Sequence, residues 1–63
     1  MRDVDDVVVL RLCAGIPVVS THLEKLEAVR ILRTRGMTAS CIARMMHASR
    51  LTVAKLWREE QPA

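Results

Sequence analysis

Thr38-Ala39-Ser40-Cys41-Ile42-Ala43-Arg44-Met45-Met46-His47-Ala48-Ser49-Arg50-Leu51-Thr52-Val53 holds two helix starts separated by one tight break. Thr38 and Ser49 are the residue types whose side-chain oxygens accept the free amides of a first helical turn. Behind Thr38, Ala39 to Met46 reads as a helix of two turns, with Cys41, Ile42, Met45 and Met46 as its apolar members. Behind Ser49 a longer helix runs from Arg50 to about Glu60, with Leu51, Val53, Leu56 and Trp57 apolar. Pro62 marks its frayed end. His47 and Ala48 are left to make the turn between the two helices.

Upstream, Ser20-Thr21-His22-Leu23-Glu24 is the strongest start signal in the chain. Thr21 can accept from the backbone three residues on, while Glu24 reaches back to the cap. Leu23, Leu26, Ala28, Val29, Ile31 and Leu32 then recur at helical spacing as far as Gly36, which supplies the left-handed position that ends a helix. A helix over 21–35 follows. Residues 1–19 are ambiguous by pattern. Asp3 as cap, Asp5 and Asp6 in the first turn, Val4, Val7, Val8 and Leu12 on one face, and Gly15 with Pro17 as a stop make a helix over 3–14. The run Val7-Val8-Val9-Leu10-Arg11-Leu12 is equally rich in β-branched residues and fits a short strand.

Sixty-three residues hold one domain with a small core, so packing between helices, self-association or a partner must supply stability. At 51% apolar and 27% charged the composition is that of a folded chain, free of repeats and low-complexity segments. Trp57 is the only aromatic residue, which suits short aliphatic helices better than a sandwich or barrel. The fold class expected is all-α, a bundle of three to four helices. Val7 to Leu10 is too short for a membrane span, and acids precede it where a signal peptide carries basic residues. A cytoplasmic protein with no membrane partner is expected, its Cys13 and Cys41 reduced and buried.

Charge is distributed unevenly. Residues 28–58 carry Arg30, Arg33, Arg35, Arg44, Arg50, Lys55 and Arg58 with no acid among them, whereas acids outnumber bases before residue 28. A positive field confined to one half of the chain is the footprint expected of a phosphate-binding surface, although a solvated arginine-rich face has the same composition. Metal binding is not expected, because His22, His47, Cys13 and Cys41 show none of the paired spacings of zinc ligands. No nucleophile with a base, paired carboxylates or glycine-rich phosphate loop is present, so neither catalysis nor a cofactor is expected.

The segment 38–53 resembles the helix-turn-helix of bacterial and bacteriophage DNA-binding proteins, and residues 23–58 together resemble homeodomain-like proteins of actinobacterial and actinophage type. In that motif Ala43 is small because the following helix crosses over it, Ile42 and Met46 fill the wedge, and Val53 and Leu56 face back onto them. The resemblance extends weakly to Gly15-Ile16-Pro17 and favours helix over strand for the N-terminal segment. One departure stands in the turn, where His47 occupies a place usually held by Gly with φ above zero. The resemblance implies that the start of the last helix enters the major groove of double-stranded DNA. Ser49, Arg50, Leu51, Ala54 and Lys55 would then read base edges, while Thr38, Ser40, Arg44, Thr52 and Arg58 would hold phosphates.

A small transcriptional regulator acting by site occupancy, of phage repressor, Cro-like or excision-control type, is the expected function. One motif reads only a few base pairs, so a homodimer or cooperative oligomer is expected, formed through residues 1–19 because Val9 and Leu10 are left over when one helix face is buried. The alternative is a helical protein-interaction module, antitoxin-like or an inhibitor of a host factor, that keeps the fold without binding DNA.

Overall fold

Thr21 accepts from the Glu24 amide at 3.3 Å and the Glu24 carboxylate accepts from the Thr21 amide at 2.8 Å, so the capping box expected there is complete. It opens the longest helix of a computed structural model that describes residues 4–60. Four helices follow one another: α1 (Asp6–Cys13), α2 (His22–Thr34), α3 (Ala39–Met45) and α4 (Arg50–Glu60). No strand occurs among the described residues, and the fold is an all-α bundle. α2 is the central element, packed against α1, α3 and α4, and α3 packs in turn on α4. The core lies where these faces meet: Val9 and Leu12 of α1, Ala28, Val29 and Leu32 of α2, Ile42 and Ala43 of α3, Val53 and Leu56 of α4.

The N-terminal segment is helical, but it starts later and faces otherwise than its sequence pattern suggests. Asp5 is the cap, its carboxylate accepting from the Val7 amide at 2.9 Å; Asp3, expected in that role, lies outside the described residues. The helix buries Val9, Leu12 and Cys13, which are spaced i, i+3, i+4, and leaves Val7 exposed. Val9 is therefore not left over. The reason is tertiary: Glu24, buried at the start of α2, also accepts from the Asp5 amide at 2.9 Å and so fixes the rotation of α1.

Three helices end in the same way. After α1, α2 and α3 the chain enters the left-handed region at Gly15 (φ 81°), Gly36 (φ 83°) and His47 (φ 55°). In each case the next residue's amide returns to a carbonyl five residues back: Ile16 to Arg11 at 2.9 Å, Met37 to Leu32 at 3.2 Å and Ala48 to Ala43 at 2.9 Å. These are Schellman ends, which satisfy carbonyls a helix would otherwise leave open. His47 takes the glycine-like position, and its side chain is used: Nε2–H donates to the Gly15 carbonyl at 2.8 Å. Gly15 is also where a Cβ would stand 2.9 Å from the Met45 sulfur, so the end of α1 sits directly on the end of α3.

Two hydrogen bonds from backbone amides, of Thr21 and Asp5, hold the Glu24 carboxyl below the usual carboxylate range. A group whose folded-state pKa is lowered contributes stability that is complete above its unfolded value and is lost as pH falls through the folded one. Thermal stability should accordingly fall below about pH 4. Glu24→Gln, which keeps the shape and loses the charge, should melt lower than wild type at neutral pH, and the two melting temperatures should converge in acid. A gap that persists unchanged at low pH would show that the carboxylate's charge is not what the two amides need.

Candidate nucleic-acid interface

Ser49 accepts from the Thr52 amide at 3.1 Å, and the two hydroxyl oxygens stand 2.8 Å apart, so the cap of α4 is closed on itself. Behind it the exposed residues of α4 are Arg50, Leu51, Thr52, Lys55, Arg58 and Glu59, with Ala54 half-buried between them. Their spacing follows from what the other face does. Val53 and Leu56 are drawn fully inward, which turns the remaining positions toward solvent. Leu51 is 77% exposed, unusual for a leucine at the start of a helix that has a core face available.

α3 presents a second exposed row beside the first. Thr38 caps α3 by accepting from the Cys41 amide at 3.3 Å, and Thr38, Ser40 and Arg44 are all exposed. Ala39 of α3 and Arg50, Leu51 and Ala54 of α4 line one shallow groove, so the two rows are neighbours. All ten residues singled out from the sequence thus lie on α3, α4 or their caps, nine exposed and Ala54 half-buried. The residues that the resemblance places inside are inside: Ile42 and Val53 are fully buried, and Ala43, Met46 and Leu56 nearly so.

The electrostatics differ from a simple count along the chain. Arg30 is paired with Glu27, and Arg33 is paired with Glu60 while its guanidinium lies 4.5 Å over the half-buried Trp57 ring. His22 pairs with Glu59 on the same flank. The two acids that close α4 are thereby turned onto α2, and two of the seven bases between residues 28 and 58 are neutralised there. Arg44, Arg50, Lys55 and Arg58 make no salt bridge with any described residue. Of the five bases between residues 28 and 58 left without a salt bridge to a described residue, four lie on α3 and α4 and the fifth, Arg35, caps the end of α2. Sequence reasoning missed this division, because the partners are 27 residues apart for Arg33 and Glu60 and no local pattern links them.

The thiols part company. Cys13 is buried against the Ala28 carbonyl, and burial pushes its pKa up. Cys41 is exposed, contrary to expectation, because Ile42 and Ala43 take the inward face of a helix only seven residues long. Leu23 of α2 is likewise exposed where its spacing suggested core. Among the described residues no three His, Cys, Asp or Glu side chains converge as metal ligands, and no helix is long and apolar enough to cross a membrane. Comparison with family models, with curated proteins and with solved structures finds no match for this chain.

Proposed function

We propose that this protein is a sequence-specific DNA-binding regulator that enters the major groove with the start of α4 while α3 grips the adjoining backbone. The observation that carries this reading is the set of cations without a salt bridge to any described residue, Arg44, Arg50, Lys55 and Arg58, on two adjacent short helices, with Glu59 and Glu60 of α4 engaged by His22 and Arg33 of α2. The tight left-handed turn at His47 and the small buried Ala43 support it, since they are what a helix-turn-helix needs to bring its second helix close over its first. Ser49, Arg50, Leu51, Ala54 and Lys55 are the base readers in this proposal, and Thr38, Ser40, Arg44, Thr52 and Arg58 the phosphate contacts. The Ser49 and Thr52 hydroxyls, already bonded to each other, have lone pairs but little freedom, so Arg50 and Lys55 carry most of the discrimination.

Fluorescence anisotropy with labelled duplex should show binding at micromolar protein in low salt. The two cations assigned to phosphates, Arg44 and Arg58, predict a slope of log K against log salt of about −2. Absence of duplex binding would overturn the proposal and favour the second reading, a protein-interaction module, for which the outward Leu51 is the specific argument.

Self-association belongs to the same proposal. The longest extent of the fold is 27 Å, too short for one copy to reach two half-sites about 34–36 Å apart. Val7 and Leu10, which share the solvent face of α1, are the residues through which two copies would pair. Sedimentation equilibrium should show dimer at micromolar concentration, and Leu10→Glu should return it to monomer; a wild type that stays monomeric would remove α1 as the pairing element.

A further inference from the structure

Beneath the α1–α2 loop, helices α1, α2 and α4 and the α3–α4 turn leave a cleft of about 430 Å³, within the range of small-molecule sites. Leu12, Val18 and Met46 give it apolar walls, and Ser20, Lys25 and Thr52 give it polar ones. One of these groups is unsatisfied and a second carries an unpaired charge. The Ser20 hydroxyl is buried with no hydrogen-bond partner, an arrangement that folded proteins complete with a guest or a water. Lys25 is half-buried and makes no salt bridge with any described residue, so its ammonium is free to meet an anion in the cleft. A single cation with a spare hydroxyl suits a singly charged ligand, and the apolar walls suit a short hydrocarbon body.

We propose that this cleft binds a small carboxylate with an apolar body, its charge on Lys25 and its oxygens served by Ser20. The site goes beyond the DNA reading and stands or falls without it. The ligand would reach Thr52 of α4, next to the cap that shapes the proposed reading face.

Hexanoate, with hexanol as the uncharged control, tests the site on the full chain without DNA by amide chemical-shift titration. Saturable shifts are expected for hexanoate at Ser20, Lys25 and Thr52, with hexanol about tenfold weaker or silent. Lys25→Met, which keeps the stem and removes the charge, should weaken hexanoate by about tenfold. Ser20→Ala, which removes only the unpartnered hydroxyl, should weaken it several-fold and guards against a Lys25 variant that misfolds. Hexanol binding as well as hexanoate, no saturable shift at these residues, or either folded variant binding hexanoate like wild type overturns the proposal.

Discussion

Leu32→Ala should leave the chain largely unfolded at room temperature. Leu32 is among the largest fully buried side chains, and it sits on α2, the helix against which the other three pack. Truncating a buried leucine removes its transfer free energy and leaves a cavity that a close-packed core fills only in part, at a cost of about 2–5 kcal/mol. A single core of this size rarely supplies more than about 3–5 kcal/mol in total, so the loss is comparable to the whole margin. Leu32 also provides the carbonyl that takes the Met37 amide at the end of α2, but that backbone bond survives the substitution, which keeps the effect one of packing. Leu51→Ala makes the same chemical change on a residue 77% exposed and should shift stability by no more than about 0.5 kcal/mol. Circular dichroism during urea titration checks both. A cooperative transition for Leu32→Ala near that of wild type would mean that α2 is not the keystone of the core.

Arg50→Ala and Arg44→Ala should both weaken DNA binding, but differently in kind. Arg50 directly follows the Ser49 cap, is exposed and unpaired, and lines the groove between α3 and α4 with Leu51 and Ala54. A guanidinium so placed can bond guanine O6 and N7 together, so its loss should cost about 1–3 kcal/mol on a preferred site and relax the preference at one base position. Arg44 stands in the last turn of the supporting helix, exposed and without an ion pair to any described residue. Its loss should weaken all sequences alike and lower the salt slope by about one unit. Anisotropy titrations on a selected site and on scrambled duplex, each over a salt series, separate the two outcomes. Equal, sequence-independent losses would mean that α4 touches only backbone.

Much of the fold is legible in the sequence where a local rule is sufficient. The capping box at Thr21 and Glu24, the caps at Thr38 and Ser49, and the left-handed stop at Gly36 each depend on residues within a turn of one another, and each is found as expected. The N-terminal helix is legible as a helix, yet its starting residue and its buried face are not. Both are set by the Glu24 carboxylate reaching the Asp5 amide, 19 residues away, which no periodicity encodes. The candidate interface shows the same limit. Exposure of Arg50, Lys55 and Arg58 follows from the spacing of Val53 and Leu56, and the Glu27–Arg30 pair from i, i+3 spacing on one helix, whereas the withdrawal of Arg33 from the positive field follows from Glu60 and needs the packed bundle to be seen.

The bond from the His47 ring to the Gly15 carbonyl closes the far end of α1, as the Glu24 contact with Asp5 closes the near end. An eight-residue helix has too few turns to persist alone. Tied at both ends to elements that carry the core, α1 has no free end from which to fray. Its amides should therefore exchange with solvent only in openings that also release α2 and the α3–α4 turn, making this short N-terminal piece a member of the most protected cooperative unit of the fold.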